Sequence, residues 1–177
     1  MGVVAIFMYV GAEVSIGSFL INFLGEADVA GLAPEVAAHY VGLYWAGAMV
    51  GRFIGVAVMS RFNSGRVLAA HGVGAIVLTL MAVFSHSMFA MWAILAVGLM
   101  NSIMFPTIFS MALHKLGSRT SEASGILCMG IVGGDVIPFA QGMFADAFDL
   151  RLSFIVTALC YGFVAYYGWR FADIYRR

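Results

Sequence analysis

Six runs of about 20 mostly apolar residues divide this chain, and each is long enough to cross the hydrocarbon layer of a bilayer as a helix. They lie at roughly 3–24, 38–60, 66–85, 88–113, 123–145 and 152–171. The longest connection is about a dozen residues, which leaves no room for a soluble domain. Lipid offers backbone groups no hydrogen-bond partners, so such runs must satisfy themselves as helices. The expected fold is therefore all-α, with residues 1–177 forming a single polytopic bundle of six transmembrane helices in the lipid bilayer. Composition adds exclusions. With 63% hydrophobic and 10% charged residues, the chain lies outside the soluble class, where about 25% are charged. Its formal charge is zero, which suggests no nucleic acid partner. Cys128 and Cys160 sit in apolar runs without metal-ligand spacing, and no cofactor or metal is expected. The opening MGVVAIF has neither a basic region nor a cleavage site, so the first run is read as a retained helix.

Basic residues alternate from one connection to the next. The second connection (Arg61, Arg66), the fourth (Lys115, Arg119) and the tail (Arg170, Arg176, Arg177) hold seven Lys and Arg; the other three hold one, Arg151. Basic loops stay cytoplasmic, so both termini are expected on that side. Tyr40, Trp92, Tyr166, Tyr167 and Trp169 fall near run ends, as interfacial aromatics do.

Any chemistry must then be intramembrane. In YVGAEVSIGSFL, Glu13 stands in the middle of the first run. An ionisable group at mid-bilayer costs at least ~2.5–3.5 kcal/mol and normally faces a water-filled cavity or a partner. On a helix, Tyr9, Glu13, Ile16 and Gly17 share one side, while Gly11, Ser15, Ser18 and Asn22 form a small-residue stripe nearly opposite. That second stripe suits close helix packing. Glu13 is accordingly read as a cavity-lining acid that binds a polar substrate or couples to protons. A protonated Glu13 bonded to a neighbouring helix is the plainer alternative.

In the second run, Gly47, Gly51 and Gly55 form a packing stripe, and Arg52 beside them snorkels or pairs with an acid, in a structural role. In the fourth, Pro106 deprives the Ser102 carbonyl of its helical partner, so a kink is expected there. Gly98, Asn101, Ser102, Phe105 and Phe109 share one face. An amide beside aromatic rings suits a neutral polyol or sugar, and equally suits a Phe-rich packing face. The fifth run holds five glycines and Pro138, which make it deformable, and a second buried acid, Asp135, as a proton site or a partner for Arg52 or for a missing segment. His39, His71, His86 and His114 are read as interfacial residues near run ends.

Four segments, YVGAEVSIGSFLINF, GRFIG…RFNSGR, GLMNSIMFPTIFSMAL and SGILCMGIVGGDVIPFAQGMFAD, occur in an order that resembles one transporter branch. It is the fucose–proton symporter and glucose/galactose permease branch of the major facilitator superfamily, and the resemblance is to its C-terminal six-helix half. The resemblance implies two inverted three-helix repeats and residence in a bacterial cytoplasmic (inner) membrane. It further implies a sugar substrate, a coupling ion (proton or sodium), and a missing N-terminal six-helix half or a second copy as partner. Substrate binding would then fall to Glu13, Tyr9, Asn101 and Phe105, and a basic gating loop to Arg61 and Arg66. Asp135 and Arg52 would serve in proton coupling or in structure. The branch usually carries a small apolar residue where Asp135 stands, and its principal protonatable acids lie in the first half.

The leading reading is half of a sugar transporter working by alternating access. An intramembrane serine protease is the enzyme alternative. It fails, because Ser124-Gly125 follows Glu122-Ala123 and no histidine occurs after His114 to serve as base. A truncated or split-gene membrane remnant, with a structural or assembly role, is the third.

Overall fold

The computed structural model describes residues 1–174; Arg176 and Arg177, two of the basic tail residues, lie outside them. The helices in chain order are α1 (Gly2–Gly25), α2 (Pro34–Met59), α3 (Ser64–Phe84), α4 (Ser87–Asn101), α5 (Met104–Leu113), α6 (Thr120–Met129), α7 (Gly133–Ala147) and α8 (Leu150–Phe171). They make six spans, each long and apolar enough to cross a membrane, because α4 and α5 form one span and α6 and α7 another. A 3-10 turn at Gly130–Val132 joins α6 to α7. No strand occurs among the described residues.

Local chemistry sets the helix ends. Proline suits a first helical turn, where its missing amide goes unused, so α2 begins at Pro34, ahead of the expected 38. The Asn63 side chain accepts from the Arg66 amide at 3.1 Å and starts α3. Asp149 does the same for α8, accepting from the amides of Arg151 (2.8 Å) and Leu152 (3.1 Å).

Small residues decide which spans touch. The α3–α8 pair closes on glycine and alanine: a Cβ added at Gly72 would lie 2.9 Å from the Ala165 backbone nitrogen. α1 meets the fifth span where Gly133 lies against the Phe7 carbonyl. The small-residue stripe of α1 packs over only half its length. Gly11 and Ser15 are buried, but Ser18 and Asn22 are exposed, and Phe19 stands between α1 and Gly142. Tyr9, Tyr44, Tyr161, Phe23 and Phe154 are the bulkiest buried side chains, with Phe23 and Phe154 edge to face at 5.1 Å. The second and fifth spans are the least buried and present Phe53, Ile54, Phe139 and Met143 outward.

One end of the bundle is tied by a single arginine. Arg151, at the head of α8, is 8% exposed. It donates to the Asp28 carboxylate and the Ser85 carbonyl, and to the Ala82 and Val83 carbonyls at 3.2 and 2.9 Å. These carbonyls belong to the last turn of α3 and the residues after it, where a helix lacks internal donors. The Ser87 amide donates to the Asp28 carbonyl at 2.8 Å, so the first, third and fifth connections share this knot. His86 completes it, with Nδ1 3.5 Å from the Asp28 carboxylate. Desolvation raises the Asp28 pKa, but the charge and hydrogen bond of Arg151 outweigh it and hold the carboxyl below its ordinary range.

Candidate functional site

The fourth span breaks between α4 and α5, at Ser102 and Ile103, where the sequence requires a freed carbonyl. Two neighbouring spans supply side chains to the break. Arg52 of α2 donates from Nε to the Ser102 carbonyl at 3.3 Å, and the Tyr9 hydroxyl of α1 donates to the Asn101 carbonyl at 3.2 Å. The Asn101 side chain in turn donates to the Tyr44 hydroxyl at 2.7 Å. Tyr161 of α8 approaches the same amide without a well-formed hydrogen bond, and its hydroxyl stays buried and unpaired, as do Asn101 Oδ1 and Ser102 Oγ.

The glycines make these contacts reachable. Gly51 lies so close to the break that an added Cβ would be 2.6 Å from Ser102 Oγ and 2.8 Å from the Leu99 carbonyl oxygen. Gly47 lies over Leu99, Gly55 over Ile103, and Gly98 against the Tyr44 backbone. The glycine stripe of the second span is thus seated on the fourth, at its break.

Glu13 sits one turn along α1 from Tyr9. It is partly exposed, as is Phe105, whose ring lies 6.3 Å from Tyr9 and stacks on Phe109 at 5.8 Å. Tyr9 and Asn101 are both 1% exposed. Their hydroxyl and amide are spent holding the break and Tyr44.

Asp135, expected in the interior, is exposed on α7, and Arg52 turns to the Ser102 carbonyl instead of to this acid. Arg61 and Arg66 are exposed in the connection from α2 to α3, which Asn63 ties to the end of α8 by donating to the Ala172 carbonyl at 2.8 Å. His71, expected near a run end, is two turns inside α3, its Nδ1 donating to the Val67 carbonyl at 2.9 Å. Tyr44 and Tyr161 were missed in the sequence. Tyr44 lies one turn before Gly47 and Ala48 on the packing face of the second span, and that was the available signal.

Six spans, with the fourth and fifth interrupted and a polar cluster buried at one interruption, match the architecture of a six-helix half of the major facilitator superfamily fold. The structure of a transporter of that superfamily, FucP, in the outward conformation matches with a TM-score of 0.91 at 31% identity, over 97% of this chain and 41% of that one. More particularly, the chain is related to the glucose/galactose transporter and fucose–proton symporter branch that its motifs resemble. It is 54% identical over 168 residues to the glucose/galactose transporter of Brucella abortus biovar 1 (strain 9-941), covering 95% of this chain and 41% of that protein. It is 32% identical over 163 residues to the L-fucose-proton symporter of Escherichia coli (strain K12), covering 92% and 37%. The chain thus spans about two fifths of the length of these relatives. A peptide transporter, POT, shares the fold at 17% identity, with a TM-score of 0.86. No family model matches the chain.

Proposed function

We propose that this chain is the C-terminal half of a secondary active transporter for a sugar of the fucose, glucose or galactose type. It works by alternating access against an N-terminal six-helix half, or against a second copy in its place, with a proton or sodium ion as coupling ion. The observation that carries this reading is Glu13, a mid-span acid left partly open one turn from Tyr9, whose hydroxyl is fixed to the fourth-span break. A carboxylate accepts two hydroxyl hydrogen bonds and a flat ring covers the C–H face of a sugar. In this reading Glu13 and Phe105 touch the sugar, and Tyr9 and Asn101 hold them from within. Asp135 faces the partner half, and Arg61 and Arg66 belong to a cytoplasmic gating loop. Both termini are cytoplasmic, on the Lys and Arg bias. The names of the relatives support the substrate class.

The test is uptake of labelled glucose, galactose and fucose by cells making this chain together with the first half of its Brucella relative. Glu13→Gln should keep expression and weaken uptake roughly tenfold, the worth of one charged hydrogen bond. A displaced pH optimum assigns Glu13 to proton coupling, and a loss uniform across pH assigns it to sugar contact. Unchanged uptake in a folded Glu13→Gln protein overturns the reading. The alternative is a membrane component with an assembly role and no transport. No uptake with any companion half would establish that one.

A further inference from the structure

The knot at the head of α8 contains one side chain that the ties themselves do not require. Arg151 and Asp28 already join the fifth connection to the first, and Arg151 alone satisfies the carbonyls at the end of α3. His86 is largely exposed, yet its Nδ1 is held against both partners, 3.3 Å from Arg151 Nη1 and 3.5 Å from the Asp28 carboxylate. Among the described residues, these are the side chains in hydrogen-bond or ion-pair contact with the ring. One is a donor and the other an acceptor, so the two protonation states of this nitrogen have different partners. Without a proton, Nδ1 accepts from Arg151. With one it can only donate, and Asp28 is the acceptor in reach. The backbone beside it is strained. Ser87 has φ 60°, in the left-handed region that residues with a Cβ avoid, and its amide is fixed to the Asp28 carbonyl at 2.8 Å. The other ionisable groups on the elements that meet here are Glu26, Glu35, His39, Asp146 and Asp149. Of these, Asp149 is turned to the amides of Arg151 and Leu152.

We propose that His86 is a proton-operated switch that decides whether the first connection is fastened to the head of α8. While the ring is neutral it accepts from Arg151, whose guanidinium also holds Asp28, and the first and fifth connections stay together. When the ring takes up a proton, it becomes a second cation beside Arg151 and its new N–H takes the Asp28 carboxylate. Arg151 keeps the carbonyls of Ala82, Val83 and Ser85, so α8 stays tied to the end of α3. The first connection is then joined twice to the third, through the His86 ring and the Ser87 amide, and is released from the fifth. Asp28 exchanges one cation for another and is never left unpaired, so the change is in connectivity and not in overall stability. The proton comes from the medium at this end of the bundle, opposite the basic connections, to which the ring is exposed. None of this rests on the transport reading.

The test is the separation of the two connections in this chain, reconstituted in lipid nanodiscs. Spin labels on cysteines placed at the exposed positions Ala27 and Leu152, in a background without Cys128 and Cys160, flank Asp28 and Arg151. Dipolar broadening of their electron paramagnetic resonance spectrum is strong only while the labels stay close. Samples at about pH 8 and about pH 5 bracket the titration of an ordinary imidazole. Both lie above the range in which Asp28 loses its charge, because Arg151 holds that carboxyl below its usual value. Broadening should be strong in the first sample and largely lost in the second. His86→Lys, charged in both, should give the acid spectrum in both. His86→Gln, whose amide accepts from Arg151 and takes up no proton, should give the neutral spectrum in both. Broadening that survives acid in the parent chain overturns the proposal, and so does an acid loss that persists in His86→Gln.

Discussion

Replacing Gly98 by alanine should separate the second span from the fourth and weaken the whole chain. A Cβ at that position would stand 2.2 Å from the Tyr44 carbonyl oxygen and 3.0 Å from the Tyr44 carbonyl carbon and Cδ2. Atoms in contact settle at ~3.5–4.0 Å, so α2 and α4 must part by roughly 1 Å or more. The neighbour at fault is backbone, which no rotamer change can move. Overpacking of this kind costs ~1–3 kcal/mol, and alanine returns ~0.5–1 kcal/mol of helix propensity, for a net loss of about 1–2 kcal/mol. Gly162 is the control, because nothing lies within 4 Å of its added Cβ. Gly162→Ala should leave stability unchanged or raise it by up to ~1 kcal/mol. Reversible unfolding in mixed micelles, driven by SDS and followed by circular dichroism, separates the two. Sugar uptake should fall in Gly98→Ala as well, because the 2.7 Å bond from Asn101 to the Tyr44 hydroxyl spans the same contact. Equal stabilities for Gly98→Ala and the wild type, or equal damage from the two alanines, would refute the reasoning.

The knot at the other end is open to a similar test. Arg151→Gln leaves the Ala82, Val83 and Ser85 carbonyls without their charged donor, a loss of about 1.5–3 kcal/mol in the same unfolding assay. Exposed Arg119→Gln should change stability by less than ~0.5 kcal/mol, and parity between the two would count against the knot. The depressed Asp28 pKa gives that knot a pH dependence. Its stabilisation is complete above the unfolded carboxylate value of about 3.9 and is lost as pH falls through the lower folded value. Asp28→Asn should remove this acid-side loss; an unchanged acid limb would contradict it. For topology, single cysteines at the exposed positions Ala27 and Lys115, in a background without Cys128 and Cys160, should label from opposite sides of the membrane. Labelling from one side would dispose of the orientation derived from the basic loops.

Six spans were legible because apolar runs of bilayer length leave little else to a chain. The Pro106 break was legible for a covalent reason, since a residue without an amide frees a carbonyl four positions earlier wherever it stands in a helix. What the sequence could not say was who would take that carbonyl. The answer depends on the approach of α2 to α4, set by Gly51 and Gly98 from two different spans, and no single-helix periodicity contains that distance. The same limit hid the partners of Asn101 and Tyr9. Face assignment put them with Phe105 and Glu13, but their hydrogen bonds turn inward once Tyr44 and the break are neighbours. Arg151 was visible only as a lone base in a connection. Its role emerges from carbonyls 66 to 69 residues earlier in the chain.

That separation in sequence carries a consequence for biogenesis. Asp28 precedes Arg151 by 123 residues, so five spans leave the ribosome and enter the membrane before the arginine that ties their connections exists. Until α8 arrives, the last carbonyls of α3 are left without the charged donor that satisfies them. A nascent chain arrested in the fifth span should therefore be easily extracted and degraded, however hydrophobic its helices. Insertion of the sixth then fastens the fifth connection to the first and third, which the Ser87 amide already joins. Quality control at the membrane has, in this one buried guanidinium, a chemical mark that distinguishes a finished bundle from an interrupted one.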